Sequence, residues 1–106
     1  MTPVSITENE FEREVLSSKI PVLVDFYADW CQPCKTLGQI LNKIGVKRNG
    51  SLKIVKLNVM EAQITASNYM VQTLPTVILF KDGVVMSALT GLQSSATYDE
   101  ILDENS

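Results

Sequence analysis

The sequence predicts an α/β fold in which helices cover both faces of a mixed sheet. Three observations predict it. Short apolar runs rich in β-formers alternate along the chain with segments of helical period. Two of those runs flank a helix-period segment, a βαβ unit whose strands should lie parallel with a right-handed crossover. An Asp82-Gly83 pair joins the last two runs, a hairpin signal that makes them antiparallel. At 106 residues, positions 1–106 are expected to form one domain.

Thr7-Glu8-Asn9-Glu10 reads as a capping box that starts a helix ending near Ser18, before Pro21. Phe11 and Val15 share one face of it, with Leu16 beside them. Val22 to Tyr27 follows, an unbroken apolar run around Asp25 that suits a central strand buried on both faces. After Trp30-Cys31-Gln32-Pro33-Cys34-Lys35 come Leu37, Ile40, Leu41 and Ile44, spaced i, i+3, i+4, i+7 as on one side of a helix. Pro33 fits the first turn, where its missing N–H costs nothing. Asn49-Gly50 marks a turn, and Leu52 to Val59 is the next strand. Glu61 to Tyr69 is a weaker helix with few apolar positions. Val77 to Phe80 and Val84 to Leu89 form the hairpin, and Ser94 to Leu102 is a closing helix. A short strand at Val4 to Ile6 would raise the sheet from four strands to five.

Composition excludes several function classes. The chain has 2 Cys and 0 His, so no Ser-His or Cys-His pair exists and no imidazole can bind a metal. A structural zinc site needs four soft ligands, and two Cys leave only a site shared between chains. A net charge of −3 argues against a nucleic-acid surface. No apolar stretch approaches the ~20 residues of a membrane span. Met1 to Val15 carries four Glu and neither a basic start nor an apolar stretch. A cytoplasmic protein is the expectation.

Cys31 and Cys34 are two residues apart. A bridge across so small a loop constrains the unfolded chain little, so a disulfide there is chemical rather than a staple. The pair could be an accident, half a zinc site or a redox couple. A strand directly before it and a helix starting on it favour the redox couple. At a helix N-terminus the free N–H groups stabilise a thiolate, and Lys35 adds a positive charge one turn on. Alternation puts Asp25 on one strand face with Leu23 and Tyr27. Burial there would raise its proton affinity towards neutral pH, making it a candidate proton carrier.

Val22-Leu23-Val24-Asp25-Phe26-Tyr27-Ala28-Asp29-Trp30-Cys31-Gln32-Pro33-Cys34-Lys35 resembles the active-site block of the thioredoxin family. Lys56-Leu57-Asn58, Leu74-Pro75-Thr76, Phe80-Lys81-Asp82-Gly83 and Gly91 resemble later elements of the same family, so the likeness runs nearly end to end. It implies the thioredoxin fold, a mixed sheet of four or five strands flanked by helices. It also implies protein disulfide reduction through a reversible Cys31–Cys34 disulfide. Cys31 resembles the nucleophile, exposed at the helix start, and Cys34 the resolving thiol one turn deeper. Asp25 resembles the acid that helps deprotonate the resolving Cys, and Lys56 its ion partner, although Lys56 read alone is equally an edge cation. Pro75 resembles a cis-proline facing the disulfide. The backbone of Leu74 and Thr76 would pair with an extended substrate segment. Trp30, Pro33, Leu74, Pro75, Gly91 and Leu92 would form an apolar docking patch. No bound cofactor or metal is implied. Electrons would come from a partner thioredoxin reductase, and a monomer is expected.

The chain departs from the family pattern at a few positions. Gln32 stands where Gly is most common, and with Pro33 it tunes the balance of dithiol and disulfide. Gln39 replaces a usual Pro, so the helix should be straighter or flex at Gly38. Met60 replaces an acidic residue and Tyr27 a Trp. Two other readings remain: a thiol-disulfide oxidase or isomerase on the same fold, and a non-catalytic binding subunit.

Overall fold

A computed structural model describes residues 3–106. Five strands form one sheet: β1 (Val4–Ser5), β2 (Val22–Tyr27), β3 (Lys53–Asn58), β4 (Thr76–Lys81) and β5 (Val84–Thr90). Their order is β1-β3-β2-β4-β5. β1 and β2 both run parallel to β3, while β4 is antiparallel to β2 and to β5. The sheet is therefore mixed, as the βαβ unit and the hairpin require. The three α-helices are α1 (Gln32–Lys47), α2 (Gln63–Asn68) and α3 (Ser95–Glu104).

β2 lies at the centre and is buried from Val22 to Phe26, which accounts for its unbroken apolar run. Alternate residues of the inner strands feed two cores. On one face Val24, Phe26, Val55, Leu57, Ile78 and Phe80 pack under the N-terminal segment and α2. On the other, Leu23, Ile54, Val77 and Leu79 meet Leu37, Leu41 and Ile44 of α1 and Tyr98 and Leu102 of α3. Three rings of the first core pack on one another. Phe11 and Tyr69 each meet Phe80 edge-on, at 5.7 and 5.3 Å between centroids. α1 ends at Arg48, whose guanidinium donates to Asp99 at 3.0 Å and Asp103 at 2.8 Å of α3.

The N-terminal segment differs from the helix expected of it. Glu10 does reach back, its carboxylate accepting from the Thr7 N–H at 2.9 Å. Phe11 and Val15 are both buried. The backbone, however, makes a 3₁₀ turn at Glu8–Glu10 and a π turn at Glu12–Leu16, not a regular α-helix. A tertiary contact engages one carbonyl of this segment: Glu14 O accepts from the Lys53 ammonium at 2.9 Å. The N–H of Ser18, which would close a regular turn onto it, points instead to Val15 O at 3.4 Å. The weak second helix is shorter than its sequence pattern, and the closing helix extends to Glu104 behind its Ser94 cap. α1 runs unbroken through Gly38 and Gln39.

Candidate active site

The C-terminal end of β2 leads through Ala28, Asp29 and Trp30 to Cys31, the N-cap of α1. Extended backbone at Cys31 turns its Sγ back over the first turn, where it accepts from the Cys34 N–H at 3.3 Å. Pro33 occupies that turn without removing a needed donor. Cys31 and Cys34 form a disulfide, with Cα atoms 5.3 Å apart. The bridge sits where a helix N-terminus favours negative charge on sulfur once it opens.

Cys31 is not the exposed residue the resemblance implied. It is only 5% accessible, like Cys34, because Ala28, Tyr27, Val59 and Leu74 close around the pair. Trp30 is the exposed neighbour, at 71%. The Leu74–Pro75 peptide bond is cis, and Pro75 is buried. The Pro75 carbonyl accepts from the Gly91 N–H at 2.8 Å, so that loop and the end of β5 are held together. Gly91 has a φ of +75° and open space where a side chain would stand, while Leu92 beside it is exposed. Leu74 is half-buried, and Pro33, Gln32 and Lys35 lie open on the first turn of α1. Thr76 is not on this surface. It is buried in β4, paired with Phe26 and Thr90, and its hydroxyl donates to Thr73 O at 2.5 Å.

Asp25 is wholly buried, and burial pushes its carboxyl up to about 7, against a smaller opposing pull from Lys56. Lys56 is its register partner across β2 and β3. The expected ion pair is not made. Neither Asp25 oxygen accepts a hydrogen bond from a described residue. The Lys56 ammonium stands instead over the Tyr27 ring, 4.6 Å from its centroid. A cavity of about 140 Å³ between Tyr27, Asp29, Lys35 and Lys56 reaches Cys34. Among the described residues no cluster of His, Cys, Asp or Glu is placed to hold a metal ion. Nor, among the described residues, is any helix long and apolar enough to cross a membrane.

Sequence reasoning missed Val59 and the role of Tyr27. Both sit at the C-terminal ends of neighbouring parallel strands, joined by the Val59 N–H donating to Tyr27 O at 2.9 Å. Sites gather at such ends in α/β sheets, which is the signal that could have found them.

The family model described as Thioredoxin matches residues 2–104. A thioredoxin of Pseudomonas aeruginosa is 41% identical over 102 residues, covering 96% of this chain and 94% of its own length. Thioredoxin C-2 of Corynebacterium nephridii is 36% identical, with 98% and 96% covered. Thioredoxin 1 of Synechococcus elongatus is 37% identical, with 95% and 94% covered.

Proposed function

Because the chain belongs to the thioredoxin family and is a thiol-disulfide oxidoreductase, we propose that its protein disulfide reduction uses Cys31 as nucleophile, Cys34 as resolving thiol and Asp25 as proton acceptor. Thioredoxins carry no prosthetic group and work through the redox-active disulfide. The observation that carries the division of roles is a disulfide capping α1, with a wholly buried carboxyl on the strand leading into it.

The Cys31 thiolate attacks one sulfur of a substrate disulfide. A Cys31–substrate bond forms, the substrate bond breaks, and the departing thiolate takes a proton. Cys34 passes its proton towards Asp25 and attacks Cys31. That second bond releases the other substrate thiol and leaves the Cys31–Cys34 disulfide. Two electrons have moved from the protein dithiol to the substrate. The second step is intramolecular and outruns escape of the trapped complex. Trp30, Pro33, Leu74, Gly91 and Leu92, with Pro75 buried beneath them, supply a docking surface read by shape, and Gly91 leaves room for a partner backbone. Gln32 tunes the dithiol–disulfide balance from its open position on the first turn. A thioredoxin reductase returns the disulfide to the dithiol, and the protein acts as a monomer in the cytoplasm.

The test is reduction of a model protein disulfide coupled to NADPH and a thioredoxin reductase. Turnover by the parent is expected, with a stable mixed disulfide accumulating when Cys34→Ser replaces the resolving thiol. No turnover by the parent sinks the reading. Titration against glutathione then separates a reductant from an oxidant.

A further inference from the structure

We propose that Tyr27 is a positioning residue, whose ring holds the Lys56 ammonium out of contact with Asp25 and leaves that buried carboxyl free to exchange a proton. The proposal rests on the reading of Asp25 as proton acceptor given above.

The geometry offers Lys56 two neighbours. Asp25 is opposite it in the parallel register, and Tyr27, two residues on, points to the same face of the sheet. A buried carboxylate is ordinarily the stronger attraction for an ammonium. Yet Lys56 Nζ lies 4.6 Å above the Tyr27 ring, and both Asp25 oxygens stay without a partner from the described residues. The ring quadrupole and the cavity of about 140 Å³ beside it give the cation a seat between water and the core. An ion pair would hold Asp25 ionised and oppose proton uptake. The seat over Tyr27 prevents that while keeping the positive charge near enough to be felt.

The groups around Asp25 are few. Lys56 comes from β3, Tyr98 from α3 and Tyr27 from β2 itself, while its partner on β4 is the apolar Val77. Asp29 and Glu61 act on the Tyr27 phenol, and Lys35 and Cys34 lie on the cavity wall.

The experiment follows the Asp25 carboxyl carbon by NMR in oxidised, ¹³C-aspartate-labelled protein, where neither cysteine titrates. Removing the ring in Tyr27→Leu frees Lys56 to pair with Asp25, so the titration midpoint falls by about one pH unit. Tyr27→Phe and Tyr27→Trp keep a ring and keep the parent midpoint. In a Lys56→Met background the Tyr27→Leu fall disappears. Tyr27→Met is the second truncation if the leucine variant does not fold. An unchanged or raised midpoint in the truncations overturns the proposal. So does an equal fall with and without Lys56, which would mean that the ring merely keeps water from Asp25. No substrate enters this measurement. A protein that titrates as expected but reduces no disulfide would refute the functional reading and leave the role of Tyr27 standing.

Discussion

The Glu8 carboxylate accepts a hydrogen bond from the backbone N–H of Thr65, 57 residues away, at 2.6 Å. Thr65 lies in the first turn of α2, whose N-cap is Ala62, a residue with no side-chain acceptor to offer. A remote carboxylate thus does the work of a local cap, and brings negative charge to the positive end of the helix. Glu8→Ala should cost about 1–2 kcal/mol, the range of a lost cap, and Glu8→Gln should recover part of it. Urea denaturation of the three proteins checks this. Equal midpoints would mean that the helix start is satisfied by water.

Gly83 and Gly50 both have positive φ, +76° and +87°, but their surroundings differ. A Cβ on Gly50 would meet open space. One on Gly83 would lie 2.9 Å from the Leu16 carbonyl oxygen, a backbone atom that cannot swing aside. Gly50→Ala should therefore cost about 1 kcal/mol for the left-handed conformation alone. Gly83→Ala should cost roughly 2–4 kcal/mol, because the hairpin must also separate from the π turn beneath it. Thermal denaturation of both variants ranks them. Equal losses would refute the contact.

What could be read in advance was local. Asp82 and Gly83 both take positive φ, as the hairpin requires, so a dipeptide was enough to predict β4 and β5. The burial of Asp25 followed from the apolar residues on either side of it. The Cys31–Cys34 pair lies at a helix start because a strand ends and a helical period begins there. What escaped depends on distant partners. Glu8 reads as part of a local cap, and only the folded chain brings Thr65 to it. Thr76 reads as a residue open to substrate because it follows Pro75, yet β2 and β5 pair on both sides of it. The family resemblance assigns Lys56 to Asp25 as its ion partner. A ring two residues further on competes successfully, and a charge count cannot see that.

Gly38 lies near the middle of α1 with nothing within 4 Å of a would-be Cβ, and its φ is not in the left-handed region. Glycine there only adds conformational freedom to the unfolded chain. Gly38→Ala should stabilise the fold by about 0.5–1 kcal/mol. If the helix must flex at this point for turnover, the gain in denaturation midpoint will come with slower disulfide reduction. If not, the rate will be unchanged. A loss of stability would contradict the open space seen around Gly38.

Asp25 gives the fold a pH dependence of unusual sign. Its carboxyl is raised from an ordinary 3.8 to about 7 by burial, so across that window the native state holds a proton the unfolded chain has released. Stability must therefore fall as pH rises from about 4 to 7, and level off above. A difference of about three pH units corresponds to a destabilisation on the order of 4 kcal/mol at the alkaline end. Glu14 and Asp99 act in the opposite sense at lower pH. The Glu14 carboxyl is held below the usual range by hydrogen bonds from Lys53 and Arg13. At Asp99 desolvation is the largest single influence and raises it, but the hydrogen bonds and charges of Arg48 and Lys47 together outweigh it and leave the carboxyl lowered. Their contribution is present above the unfolded value and is lost in acid. Maximum stability should then lie in the mildly acidic range. Asp25→Asn removes the falling limb, so urea midpoints of the variant should stay level between pH 5 and 8 while those of the parent decline. Parallel profiles for the two proteins would mean that Asp25 titrates near its ordinary value in the folded state, and that it is already ionised at neutral pH.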